Sequence, residues 1–135
     1  MQAILAANSD DVYLRASGLD AALSMLAAGP CCILAGGTDI YPALQDRSLV
    51  GRVLDISGIA DLSVITESNK YWSIGAAVSW RDVIRANLPP AFDGLKVAAG
   101  EVGSWQIQNR ATLVGNICNA SPAADGVPAL LTMDA

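Results

Sequence analysis

The chain contains no histidine. That absence removes histidine-dependent catalytic triads, HExxH zinc sites and the commonest general base at neutral pH. Cations are scarce too: 8 Lys+Arg stand against 13 Asp+Glu, for a formal net charge of −5. The bases are scattered singly along the sequence, so no basic stripe is available to displace counterions, and a nucleic-acid surface is not expected. Aromatic residues make up 5%. Trp72, Trp80 and Trp105 are too sparse for a base-stacking platform and are expected in the core or in a subunit contact. The 3 cysteines form neither a zinc pattern nor a disulfide framework; they read as small buried apolar residues of a reducing cytoplasm. No apolar run approaches the roughly 18 residues of a membrane span. Met1 to Leu5 lack a basic n-region and Asp10-Asp11 follow soon after, so no signal peptide is expected, and the paired carboxylates read as a solvated charge patch. Neither G-x-G-x-x-G nor a Walker A pattern occurs, which disfavours a Rossmann or P-loop site.

What remains is a chain of 135 residues that is 53% hydrophobic, long enough for an Ala/Leu/Ile/Val-rich core. Val12 to Leu14 predict a short strand. Ser17, with Asp20 three residues on, predicts a helix cap, and Leu19, Ala22, Leu23 and Leu26 supply an apolar stripe that Gly29-Pro30 end. Cys31 to Ala35 read as a buried strand, making a strand–helix–strand unit of the parallel α/β kind. A short helix at Tyr41-Pro42 and a strand from Arg52 to Ile56 in the same sheet follow. Asp61 to Ile65 and Tyr71 to Ala76 predict a hairpin around Ser68-Asn69-Lys70. Ser79 predicts the cap of a helix through Arg85, Ala91 to Gly100 a second helix, and Pro128 the first turn of a last one. From Asn109 to Asp125 the chain mixes glycine, asparagine and serine with apolar residues, unusual for a surface loop. The end at Asp134-Ala135 lacks a capping signal, and a piece of a longer protein is expected.

Two stretches carry the chemistry. Ala35-Gly36-Gly37-Thr38-Asp39 follows a strand directly, the place where α/β proteins bind ligands. Paired glycines permit positive φ and close approach, and successive amides form a nest for an anion. Thr38 offers a hydroxyl, and Asp39 a helix cap or an acceptor for a ribose or ribityl hydroxyl. The plainer alternative is a strand-to-helix turn with Asp39 as N-cap. In the second stretch, Thr112, Asn116, Asn119 and Ser121 lie among apolar neighbours. If buried unpaired, each would cost about 1–3 kcal/mol, so they need either a polar ligand or Asx and Ser turns of their own. Asp125 is placed to cap the last helix or accept from a cofactor. Two such loops brought together would cradle a phosphate-bearing ligand without lysine.

Those residues resemble a known family. Ile33-Leu34-Ala35-Gly36-Gly37-Thr38-Asp39-Ile40 is similar to the first FAD-binding loop of the flavin subunit or domain of molybdenum hydroxylases, of the xanthine dehydrogenase and aerobic carbon monoxide dehydrogenase type. Gln106 to Thr112, continuing through Ala120-Ser121-Pro122-Ala123-Ala124-Asp125, resembles the second loop and its sequel; Tyr13 to Ser17 and Ile74-Gly75-Ala76 fit the same layout. The resemblance implies a mixed α/β (α+β) fold of the vanillyl-alcohol-oxidase type in two subdomains. Residues 1–57 would form a small βαβ unit, and residues 58–135 an incomplete sheet-plus-helix unit. It implies FAD, with Ile33 to Ile40 on the pyrophosphate and adenosine side and Thr112, Gly115 and Asn116 opposite. Asn119, Ser121 and Asp125 would contact the ribityl chain or sugar, and Val102 the cofactor. It implies no catalytic side chain and no metal ligand. The expected partners, in a hetero-oligomer, are a molybdopterin-binding large subunit and a [2Fe–2S] small subunit, with electrons passing through the flavin to an external acceptor. The chain departs from the family at Gln108, where arginine is usual, and at Val114, where glycine is usual and where a Cβ restricts φ. The alternatives are an assembly module of the same fold that no longer holds flavin, and a phospho-ligand-binding protein outside the flavin family.

Overall fold

Three short parallel strands make the first unit: β1 (Val12–Arg15), β2 (Cys32–Leu34) and β3 (Arg52–Asp55). In this computed structural model, which describes residues 12–135, β3 is the central strand of the order β1-β3-β2. Tyr13 lies opposite Val53, and Ile33 opposite Leu54. Met1 to Leu5 and the Asp10-Asp11 pair lie outside the described residues. Helix α1 (Leu19–Ala27) connects β1 to β2, and α2 (Ile40–Leu44), with Pro42 in its first turn as expected, follows β2. Leu54, at 0% exposure, packs with Ala16, Ala22 and Ile59, and with half-buried Leu14, Met25 and Leu26 around them. Burying a leucine fully contributes about 1.5–3 kcal/mol, which anchors the middle of the sheet.

Several local expectations fail here for one reason: the sheet is small and thinly covered. Helix α1 is preceded by Gly18 in extended conformation with no side-chain cap, so Ser17 does not cap it. Its inward face is Ala22, Met25 and Leu26, while Leu19 and Leu23 are exposed. In β2 only Leu34 is buried; Cys32 and Ile33 are exposed, so the run is not a buried strand. Cys31 is half-buried and Cys32 and Cys118 are exposed, contrary to the expected burial.

The second unit begins with a single 3₁₀ turn at Ala60–Leu62, where a strand was expected. The antiparallel hairpin β4 (Ile65–Glu67) and β5 (Trp72–Ile74) follows around the expected turn. Ser79 caps α3 (Trp80–Arg85) through a full capping box: its Oγ accepts from the Asp82 amide, and the Asp82 carboxylate accepts from the Ser79 amide. A 3₁₀ turn at Pro90–Phe92 leads into α4 (Asp93–Glu101), whose Leu95 and Ala99 are buried. Then come α5 (Trp105–Gln108), α6 (Leu113–Asn119) and α7 (Gly126–Thr132). The stretch from Asn109 to Asp125, for which the sequence predicts no secondary structure, thus contains a helix. Trp80, Val78, Val83 and Leu95 are wholly buried and pack with Leu113 into the second core. Trp80 fits the core role; Trp105 is 58% exposed and lies under the Arg81 guanidinium instead. No described helix is long and apolar enough to cross a membrane.

Candidate functional site

At the carboxyl end of β2 the chain leaves the sheet. The Leu34 carbonyl still accepts from the Ile56 amide at 2.9 Å, and its side chain is buried. Gly37 then takes φ +75°, with the Tyr41 ring so close that a Cβ would sit 2.5 Å from it. Only glycine adopts that conformation there without strain. Among the described residues, the amides of Gly36, Gly37, Thr38, Asp39 and Ile40 have no protein acceptor, although Gly37 is buried. Buried backbone N–H groups are nearly always paired, so the free Gly37 amide calls for an external acceptor, and the half-buried Gly36, Thr38 and Ile40 and exposed Asp39 extend it into a run of donors suited to an anion. Asp39 occupies the N-cap position of α2 but makes no capping bond, which leaves its carboxylate free at the rim.

The opposing wall is the start of α6. Its N-cap Thr112 is buried, and the Thr112 Oγ1 accepts from the Gly115 amide at 3.0 Å. A Cβ on Gly115 would meet that same oxygen at 2.7 Å. Asn116 uses its Oδ1 to accept from the Gly126 amide at 3.1 Å, tying α6 to α7 and leaving its NH₂ group uncommitted. Gly126 is itself wedged beneath Leu113 and Trp80, so a side chain there would displace both. Of the Asx and Ser turns weighed from sequence, Ser121 forms one with the Ala123 amide and Thr112 caps α6, whereas Asn116 reaches across to Gly126 and the Asn119 side chain makes no hydrogen bond among the described residues. Val114 sits in the first turn of α6 with no positive φ, so a side chain there is compatible with the backbone, against the expected restriction. Gln108 is buried and donates from Nε2 to the Gly100 carbonyl at 3.0 Å, a structural bond to α4.

The two walls meet at Gly36, where a Cβ would overlap the Arg110 carbonyl. Arg110 is held in turn by the strand-like pairing of Ser79 with Thr112, in which the Trp80 amide donates to the Ala111 carbonyl at 3.0 Å. Between the walls lies a cleft of about 660 Å³. Ile33, Ala35, Gly36, Gly37, Thr38, Asp39, Ile40, Val102, Thr112, Gly115, Asn116, Asn119 and Asp125 line it. Two expected residues do not. Leu34 is buried in the sheet core, and Ser121 lies outside, exposed, its Oγ accepting from the Ala123 amide at 3.3 Å. Asp125 is exposed at the start of α7 and makes no capping bond.

Sequence reasoning missed Ile56, Ala76, Trp80, Ile107, Ala111, Val114 and Cys118 as lining residues. Only Trp80 carried a signal, since it directly follows the Ser79 cap. Its ring is wholly buried, yet Nε1 has no hydrogen-bond partner, and a buried indole N–H usually finds one. Among the described residues no lysine or arginine lines the cleft. An anion would be held by amides and helix dipole, with Asp39 and Asp125 at the rim suited to hydroxyl donors. The residues thus fit a dinucleotide: a glycine cradle for its phosphates, acceptors for its sugars and apolar walls for a ring.

Comparison with known proteins agrees with that geometry. A family model described as the FAD binding domain in molybdopterin dehydrogenase matches residues 6–135. The beta subunit of caffeine dehydrogenase from Pseudomonas sp. (strain CBB1) is 34% identical over 128 residues, covering 89% of this chain and 42% of that one. The xanthine dehydrogenase FAD-binding subunit of Escherichia coli O157:H7 is 35% identical over 127 residues, covering 91% and 44%. Among solved structures, a reconstituted CO dehydrogenase from Oligotropha carboxidovorans superposes with a TM-score of 0.77 at 25% identity, over 88% of this chain and 43% of the matched chain. The chain spans somewhat over two fifths of these relatives' length.

Proposed function

Since the chain belongs to the FAD-binding domain family of molybdopterin dehydrogenases, whose cofactor is FAD, we propose that the cleft between Gly36 and Thr112 holds the pyrophosphate of that cofactor. The run of unpaired amides from Gly36 to Ile40 carries this reading. It supplies a ring of donors with no acceptor of its own, and it favours a bound flavin over an assembly module that has lost it. Thr38 and the free NH₂ group of Asn116 would complete the phosphate contacts. Asp39, Asn119 and Asp125 would accept from sugar or ribityl hydroxyls, and Val102 would close the apolar wall. Ser121, outside the cleft, is assigned no contact. Bound FAD supplies the electron-transfer chemistry; these residues bind, orient and shield it.

The cleft draws its walls from residues 33–56 and from residues 76–125, which supports a division into two subdomains near residue 57 with the cofactor between them. Relatives are named as subunits of dehydrogenases. We accordingly assign this chain to the flavin subunit of such a complex, beside a molybdopterin-binding large subunit and a [2Fe–2S] small subunit, passing electrons to an external acceptor. Three unpaired cysteines suit a cytoplasmic setting, where thiols stay reduced.

The experiment is a paired titration of the purified chain with FAD and with FMN. A site built on the pyrophosphate nest binds FAD far more tightly. Equal affinity for the two would place recognition on the ring and refute the assignment of the nest.

A further inference from the structure

Four of the chain's 8 cationic side chains, Arg15, Arg81, Arg85 and Arg110, line one polar crevice of about 410 Å³ that shares Ala35, Gly36 and Thr112 with the flavin cleft. In a chain of net charge −5 this concentration needs a reason. Helix α3 presents Arg81 and Arg85 one turn apart, on neighbouring positions of one face. The Arg81 guanidinium lies over the Trp105 ring, its Cζ 3.9 Å from the ring centre, a cation–π contact that holds the group in place. Its Nε is buried and has no hydrogen-bond partner. Among the described residues Arg81, Arg85 and Arg110 have no ion pair, and Arg15 has a single long one, 3.8 Å to Asp55. One carboxylate faces the crevice, that of Asp82, and it is engaged by the Ser79 amide and hydroxyl at 2.9 and 2.6 Å. Ser57, Ser63 and Asn109 add neutral hydrogen-bonding groups.

We propose that this crevice is a second anion site, for a pyrophosphate group, adjoining the flavin cleft at Ala35, Gly36 and Thr112 but built on arginines that do not line that cleft. Guanidinium groups recognise phosphoryl oxygens by paired, charge-assisted hydrogen bonds, and Arg81 is held in place for this by Trp105. Two arginines on one helix, faced by Arg15 and Arg110 from other elements, suit a diphosphate better than a single carboxylate. Inorganic pyrophosphate and the diphosphate bridge of a nucleotide share this chemistry. The proposal does not depend on flavin occupying the neighbouring cleft.

The test is calorimetric titration of the full chain with inorganic pyrophosphate and, separately, with ADP-ribose, each without and with saturating FAD. Saturable binding that persists in FAD is expected. The Arg81→Gln/Arg85→Gln double variant should weaken it at least about tenfold while FAD affinity stays unchanged. Tighter binding of ADP-ribose would identify a nucleotide as the source, and tighter binding of pyrophosphate the free anion. Displacement of pyrophosphate by FAD, or equal affinity in the double variant, would overturn the proposal, as would no binding of either probe. If the double variant loses its near-UV circular dichroism, the single Arg85→Glu variant decides, since Arg85 is exposed. Failure of FAD to bind at all would refute the flavin reading and leave this titration intact.

Discussion

Gly36 rests directly on the carbonyl of Arg110, and through that contact two loops far apart in sequence become one wall. The free amides lie on the Gly36 side, and Thr112 with α6 on the other. The contact admits no side chain, so it predicts a steep response. Gly36→Ala should separate the loops at a cost of about 1–3 kcal/mol, the usual range for overpacking, and weaken FAD binding by more than the loss of stability explains. Thermal melts beside FAD titrations separate the two effects. A Gly36→Ala variant with unaltered melting and unaltered affinity would contradict the geometry.

The capping box at Ser79 positions α3, and through its pairing with Thr112 it also fixes the second loop. Ser79→Ala and Asp82→Ala should each destabilise the chain by about 1 kcal/mol. Because the two groups form one unit, the double variant should cost less than the sum. A double-mutant cycle measured in urea gives the coupling directly; strict additivity would argue against the shared cap.

At the end of the central strand, Tyr13 donates to the Asp55 carboxylate at 2.5 Å, and the Ser57 amide donates to it at 2.8 Å. Burial pushes the Asp55 carboxyl up, but hydrogen bonds from Ser57 and Tyr13, with the Arg15 charge, outweigh it and hold the group below its ordinary 3.8. The folded state therefore takes up this proton less readily than the unfolded one. Its contribution is complete above the ordinary value and fades as pH falls through the folded value. Tyr13 is raised above 10.0, chiefly by its hydrogen bond to Asp55, so its contribution is complete below that value and lost as pH rises through the folded one. Tyr13→Phe should abolish the alkaline arm at a cost of about 1 kcal/mol or less. Asp55→Asn should flatten the acid arm. Stability measured across the pH range checks both signs.

Trp80 offers an internal reporter, being wholly buried in the second core while also lining the cleft. Flavin bound in the cleft should quench its emission. Trp80→Phe removes the unpartnered Nε1 donor while keeping an aromatic ring in the core. We expect a stability change below about 2 kcal/mol and a several-fold loss of FAD affinity. Unchanged affinity would show that the indole N–H makes no contact with the cofactor.

Much of this was legible in sequence because glycine and capping signals are local. Gly36-Gly37 after a strand, Ser79 before α3 and Pro128 in α7 each announce a backbone requirement within a few residues. The parallel unit was legible as well, although nothing in the sequence says that β3 inserts between β1 and β2. What failed depends on tertiary coverage. Whether Ile33 or Leu23 is buried is decided by what packs on them, and the same apolar pattern serves a covered and an uncovered face. Helix α6 was obscured because Gly115, Asn116 and Asn119 disfavour helix on their own; the Thr112 cap and packing under Gly126 override that preference. Leu34 and Ser121 show the limit of assigning a site by segment, since strand alternation turns Leu34 inward and the exit of α6 carries Ser121 away.

The measurement that bears most directly on the central claim is an FAD titration of the purified chain, followed by flavin fluorescence, on the wild type and on Gly36→Trp. Saturable quenching by the wild type that disappears in Gly36→Trp, with the variant's melting cooperative, is the predicted result. No saturable change in the wild type, or equal binding by Gly36→Trp, would mean that the amide run between Gly36 and Ile40 is not where the cofactor is held.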